Sequence, residues 1–155
     1  MRCEPAVACI LLVLAFPAAA KGPPAAEVAA ARFVPDVKWR PASVVTGDFS
    51  CRGRRETALL GTNQSDIVIA IFLNGLGKPP EALRYSAKAR RAESAELIVE
   101  DMDYDPKELA NSIGSAPEGM RPSKTCKGLK LDDGYTDSAH IYWNHVARRF
   151  DDWTL

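Results

Sequence analysis

Asp66-Ile67-Val68-Ile69-Ala70-Ile71-Phe72-Leu73 is the stretch that decides the fold. Seven of its eight residues are apolar and four are β-branched, a pattern that predicts a strand buried on both faces. Turn chemistry bounds it on both sides. Gly61-Thr62-Asn63-Gln64-Ser65 precedes it and joins it to a shorter extended run, Thr57 to Leu60, as a hairpin. Asn74-Gly75 and Gly77-Lys78-Pro79-Pro80 end it.

Two further extended runs lie downstream. Ala95 to Val99 sets Leu97 and Val99 on one face, and Ala139 to Trp143 alternates. Ile141 and Trp143 then point one way and His140 and Tyr142 the other, with His140 expected at the surface. Asn144-His145-Val146-Ala147 reads as a turn, so Ala139 to Trp153 is expected to be a hairpin docked through Ile141, Trp143 and Phe150. Ser86 to Ser94 is polar, and Asp105 to Thr125 is rich in Pro and Gly. Both read as loop, with a helical turn at Pro106 to Ser112. No strong amphipathic helix separates the strands, which favours antiparallel pairing. A chain of 155 residues without internal repeats fits one domain. The expected fold class is therefore mainly β: a single small antiparallel sheet or sandwich domain with minor helix and one disulfide.

The N-terminal region has a different character. An apolar run from Ala6 to Phe16, a break at Pro17 and the small residues Ala18-Ala19-Ala20 predict a signal peptide over 1–20, cleaved after Ala20. The run is about half the roughly 20 residues a membrane span needs. Residues 21–36 are Ala- and Pro-rich and read as a loosely ordered leader, and 37–155 as the β-rich globular domain. Cleavage would remove Cys3 and Cys9, leaving Cys51 and Cys126. Two cysteines in an exported chain most simply form one disulfide. The expected location is secreted or periplasmic. With 20 basic and 20 acidic residues, the chain lacks the basic excess that nucleic acid usually requires.

Gly47 to Ala58 includes Asp48-Phe49, Gly53 and Glu56. These residues resemble the FG-GAP or VCBS repeat, whose acidic loop of the form Asp-Phe-Asn-Gly-Asp-Gly-x-x-Asp binds calcium and leads into a strand. The resemblance spans about twelve residues and occurs once. It implies a turn-and-hairpin geometry. Arg52 stands where an acidic ligand belongs, so the loop is expected to keep that geometry without an ion. The wider pattern, with the loop Asp48-Phe49-x-Cys51-x-Gly53-Arg54, Cys126-Lys127-Gly128-Leu129-x-Leu131 and His140-Ile141-Tyr142-Trp143-Asn144 ahead of Trp153, is similar to a type of uncharacterised exported bacterial protein. That resemblance implies no activity.

Other candidate chemistry is sparse. Asp101, Asp103 and Asp105 alternate along an acidic run and are the candidate metal ligands. Pro106 and Ser112 take the positions where an EF-hand needs Gly and Glu, and the bland alternative is a strand end exposing carboxylates. His140 and His145 are the only histidines, with Asp132, Asp133 and Asp137 as upstream acids. Together they could form a metal site or an acid–base pair. No nucleophile elbow occurs, and Gly75-Leu76-Gly77-Lys78 lacks the spacing of a phosphate loop. Arg52-Arg54-Arg55, Lys88-Arg90-Arg91 and Arg148-Arg149 are solvated basic groups unless they converge to grip an anionic polymer. Trp39, Trp143 and Trp153 read as core, with a ligand-binding aromatic face as the sharper alternative.

These readings favour a non-catalytic exported module, an envelope accessory or binding protein that needs no cofactor, with an envelope glycan or a protein as partner. A metal-dependent hydrolase using His140, His145 and nearby acids is one alternative. A purely structural or protein-interaction domain is the other.

Overall fold

The computed structural model describes residues 25–155. The expected signal peptide and its cleavage site lie outside them. Nine strands form two antiparallel sheets. The first contains β1 (Lys38–Trp39), β2 (Val45–Gly47), β3 (Glu56–Thr62), β4 (Asp66–Phe72) and β5 (Glu81–Ser86), in the order β1-β3-β4-β5, with β2 also paired to β3. The second runs β6 (Glu96–Met102), β7 (Ser123–Asp132), β8 (Ala139–Asn144) and β9 (Arg149–Trp153) in sequence order. Two α-helices, α1 (Ala25–Phe33) and α2 (Pro106–Ile113), and a 3-10 turn at Pro41–Ser43 complete the elements of the described residues. It is a mainly β sandwich with minor helix, as the sequence predicts.

The deciding stretch becomes β4, and its two faces enter two different cores. Ile67, Ile69 and Ile71 face the second sheet, where they meet Leu97, Leu129, Leu131 and Ile141. Val68, Ala70 and Phe72 face outward and pack with Leu59, Trp39 and α1. An antiparallel strand with an apolar outer face needs a cover, and α1 supplies it. This differs from the loosely ordered leader expected over 21–36. Ala26, Ala29 and Ala30 follow helical spacing, and their methyl groups are small enough to let the helix lie close to the sheet. The indole Nε1 of Trp39 donates to the Val34 carbonyl at 3.3 Å, tying the end of the helix to β1.

Four strands lie outside the extended runs read from sequence: the short β1 and β2, and the longer β5 and β7. β5 is an edge strand whose residues alternate between half-buried and exposed, so it carries little apolar signal. β7 begins at Ser123, inside the segment expected to be loop, and Lys124, Lys127 and Lys130 interrupt its apolar pattern. The expected hairpin at Ala139 to Trp153 is β8 and β9, with Trp143 meeting Phe150 edge-on at 5.2 Å between ring centroids.

A third apolar cluster covers the outer face of the second sheet. Met102, Cys126, Tyr142 and Trp153 pack beneath Leu109 and Ile113 of α2. The sandwich is thus covered by a helix on each outer face. The Cys51–Cys126 disulfide joins the β2–β3 loop to β7, linking the two sheets. Among the described residues no helix is long and apolar enough to cross a membrane.

The β7–β8 turn is organised by the buried Asp133, which accepts the amides of Arg91, Tyr135 and Thr136 at 2.8–2.9 Å. Burial raises its affinity for a proton. The amide hydrogen bonds outweigh that effect and hold the carboxyl at about 2, against an ordinary 3.8. Its stabilising contribution is therefore fully present above about pH 4 and lost as pH falls through about 2. Asp133→Ala should cost about 1–2 kcal/mol at neutral pH by leaving those amides without an acceptor. Urea unfolding of the variant and the parent should converge as pH falls towards 2.

Candidate functional site

Strand alternation builds the site on the outer face of the second sheet. Ile141 points into the sandwich, so its neighbours His140 and Tyr142 point outward. The expectation of a surface-exposed His140 is corrected here, because its side chain is largely covered. Tyr142 is 3% exposed, and its hydroxyl donates to the Glu118 carbonyl at 2.9 Å. Its phenol is pushed up to about 12, first by burial and then by Asp151 and Asp152. The cover comes from α2 and the segment after it, which lie within the turn-rich run from Asp105 to Thr125, whose packing carries no periodic signal.

Register places His140 opposite Trp153 on β9, and Glu100 opposite Gly128 on β7. Gly128 has no side chain, so the Glu100 side chain lies over it and reaches His140 two strands away. His140 Nδ1 stands 2.9 Å from Glu100 Oε2 and 3.2 Å from Oε1. Tyr104 donates its hydroxyl to Glu100 Oε2 at 2.9 Å. A carboxylate only accepts, so His140 donates through Nδ1, and its Nε2 takes no part in this contact. The His140 and Glu100 side chains are each only 13% exposed. The imidazole stacks on the Trp153 indole at 4.1 Å and 10°, and Tyr104 meets the same indole edge-on at 5.4 Å. Burial, then the bond to Glu100 and the charges of Glu100, Asp103 and Asp101, push the Tyr104 phenol above its ordinary range. It remains a hydrogen-bond donor throughout the neutral range.

A cleft of about 420 Å³ opens over this cluster. Tyr104, His140 and Trp153 line it together with Leu109, Ser112 and Leu155, and Asp103, Asp105 and Glu108 add exposed carboxylates. No Lys or Arg lines it. Asp105 is placed by its role as N-cap of α2, where it accepts the Lys107 amide at 2.8 Å ahead of Pro106. Glu108 follows in the first turn.

Gly128 is the hinge of this geometry in a steric sense. A Cβ there would lie 2.5 Å from Met102 Sδ, 3.1 Å from the Ile141 carbonyl and 3.2 Å from Glu100 Cγ. Gly128→Ala should displace Glu100 from His140 and cost about 1–2 kcal/mol of stability through overpacking. The checks are a lower melting temperature and loss of the slowly exchanging His140 Nδ1 proton in NMR spectra.

The other sequence candidates separate. Asp101 pairs with Lys127, and Asp105 caps α2. With Asp103 they do not form a metal-ligating group, and none of three or more His, Cys, Asp or Glu exists among the described residues. A strand end and a helix cap aim the three carboxylates at different tasks. His145 lies in the β8–β9 turn, where burial and Arg121 lower its proton affinity. Asp133 is committed to its own turn. The acid that meets His140 is Glu100, which sequence spacing missed because 40 residues separate the two. The three tryptophans occupy three different layers and form no common face: Trp39 under α1, Trp143 between the sheets and Trp153 at the cleft. In the Lys88-Arg90-Arg91 group the two arginines are engaged singly. Arg90 donates to the Asp137 carbonyl, and Arg91 stacks on Tyr135 at 4.0 Å.

The β2–β3 loop holds a cation of its own. Asp48 accepts the amides of Arg52 and Gly53 at 2.9 and 2.8 Å. The Arg52 guanidinium turns inward, where it meets Ser50 Oγ at 2.7 Å, Glu56 Oε1 at 3.0 Å and the Leu73 carbonyl at 3.2 Å. Glu56, 2% exposed, is neutralised from within the loop.

Comparison of the chain with family models, curated proteins and solved structures returned no match.

Proposed function

We propose that this chain is an exported, non-catalytic binding module whose cleft over His140 takes a guanidinium or ammonium group, presented by a basic side chain of a protein partner. The observation that carries this reading is the composition of the cleft: three exposed carboxylates, an imidazole and aromatic rings, with no Lys or Arg among them. Like-signed carboxylates in a concave site focus the field and favour a cation. Trp153 and Tyr104 add aromatic rings, whose faces attract cations. The volume suits a single side chain rather than a polymer. Export is supported by the Cys51–Cys126 disulfide, a bond that persists in oxidising compartments, and by the apolar segment before Ala20.

Titration with N-acetyl-arginine amide, followed by tryptophan fluorescence, tests the reading against the neutral isostere N-acetyl-citrulline amide. Two or three exposed ion pairs of about 0.5 kcal/mol each amount to roughly ten-fold in affinity. The arginine compound should bind saturably and about ten-fold more tightly, and the difference should shrink in Asp105→Asn/Glu108→Gln. Equal binding of the two, or none, would overturn the proposal.

One observation favours a second reading. The Glu100–Nδ1 bond orients an imidazole with a free Nε2, the arrangement of a general base. That reading requires turnover of a bound ester or amide, abolished in His140→Gln while ligand binding persists.

A further inference from the structure

We infer that a groove between the β2–β3 loop and the second sheet is a binding site for a phosphate-type oxyanion, independent of the cleft over His140. The groove has a volume of about 470 Å³. Arg54 and Arg55 come from the loop, Lys127 and Thr125 from β7, and Thr46 from β2. Three cations from two distant parts of the sequence thus reach one concave surface, in a chain whose formal charge is zero.

The charges of the two arginines are not cancelled in place. Arg54 forms no ion pair among the described residues. Arg55 is held by a neutral group instead of an acid: Nε and Nη2 both donate to Thr46 Oγ1, at 3.0 and 2.7 Å. That contact fixes the guanidinium plane and leaves Nη1 and one Nη2 hydrogen for a ligand. Only Lys127 has an acidic partner, the exposed Asp101. Asp48, the one carboxylate lining the groove, has both oxygens taken by backbone amides of its own loop.

The two walls are also fixed relative to each other. The Cys51–Cys126 disulfide and the hydrogen bond from the Lys127 amide to the Asp48 carbonyl, 3.0 Å long, join the loop to β7 at this point. A planar guanidinium fork held in a rigid groove suits bidentate recognition of a tetrahedral oxyanion, with the Thr125 hydroxyl as a further donor. Both a soluble phosphoester and a phospholipid headgroup carry this chemistry.

Two probes separate those sources: inorganic phosphate, and phosphatidylcholine vesicles containing phosphatidylglycerol. The first readout is the NMR shift of the Arg54 and Arg55 Nε–H groups and the Gly53 and Thr125 amides, at constant ionic strength set with chloride. The expected result is saturable perturbation by phosphate that chloride does not reproduce, at least ten-fold weaker in Arg55→Gln and lost in Arg54→Gln/Arg55→Gln. Both arginines are exposed, so an unchanged melting temperature confirms that the variants fold. Co-sedimentation with the vesicles, lost in the same double variant, would assign the headgroup as the source. Saturation by phosphate without co-sedimentation would assign a soluble phosphoester. Shifts that are linear in phosphate, or equal with chloride, together with no vesicle binding, would overturn the site. The Asp105→Asn/Glu108→Gln variant should bind phosphate normally, which keeps this test separate from that of the cleft.

Discussion

Replacing Cys51 and Cys126 with serine should lower the unfolding free energy by about 4–5 kcal/mol. The disulfide spans 75 residues, and closing a loop of that length removes about this much chain entropy from the unfolded state. Its position adds a second reason for a large effect. The bond ties the β2–β3 loop of one sheet to β7 of the other, so without it the loop loses a covalent anchor. Denaturant unfolding of the parent against the double serine variant, at neutral pH and with the same slope in both, is the measurement. A loss below about 1 kcal/mol would mean that the sandwich is held by its core alone.

The next largest effect is expected at Arg52. Removing one partner of a buried ion pair typically costs about 3–5 kcal/mol, because the other charge is left buried and unpaired. The Glu56 side chain is 1% exposed, but that of Arg52 is 36% exposed, so water can partly replace the guanidinium. Arg52→Met should therefore cost about 3 kcal/mol, and Arg52→Lys less, because a cation remains. Arg52→Met/Glu56→Leu should recover part of the loss by removing the stranded carboxylate. If Arg52→Met unfolds like the parent, the inward guanidinium carries no stability. Cys51 adjoins Arg52, so the effects of the two sites should not add.

Much of the fold is legible in residues 66–73, because four β-branched residues in an eight-residue run favour a buried strand. The same run also announces a cover on its outer face, since Val68, Ala70 and Phe72 are as apolar as the isoleucines between them. What supplies that cover was not legible. The alanines of α1 have high helix propensity but little hydrophobic contrast, so a packed helix and a loose leader look alike in sequence. β5 and β7 escaped for a different reason. An edge strand and a strand interrupted by lysines lack the apolar run on which strand reading depends.

The site divides in the same way. His140 and Tyr142 could be placed on one strand face from alternation alone. Glu100 could not be paired with His140, because that contact crosses a whole strand and depends on the missing side chain of Gly128. Asp101, Asp103 and Asp105 show the opposite error. Their regular spacing suggests cooperation, yet a lysine partner and a helix cap separate them. Proximity in sequence overstated what they share, and distance in sequence hid the His140–Glu100 pair.

The acidic, aromatic cleft over His140 is proposed to receive a cationic group. Mapping ¹⁵N chemical-shift changes during titration with N-acetyl-arginine amide tests it most directly. The predicted result is saturable perturbation concentrated at Tyr104, Asp105, Glu108 and the indole N–H of Trp153, reduced by added salt and absent with the citrulline analogue. Shifts that fail to saturate, or that centre on any other surface, would contradict it.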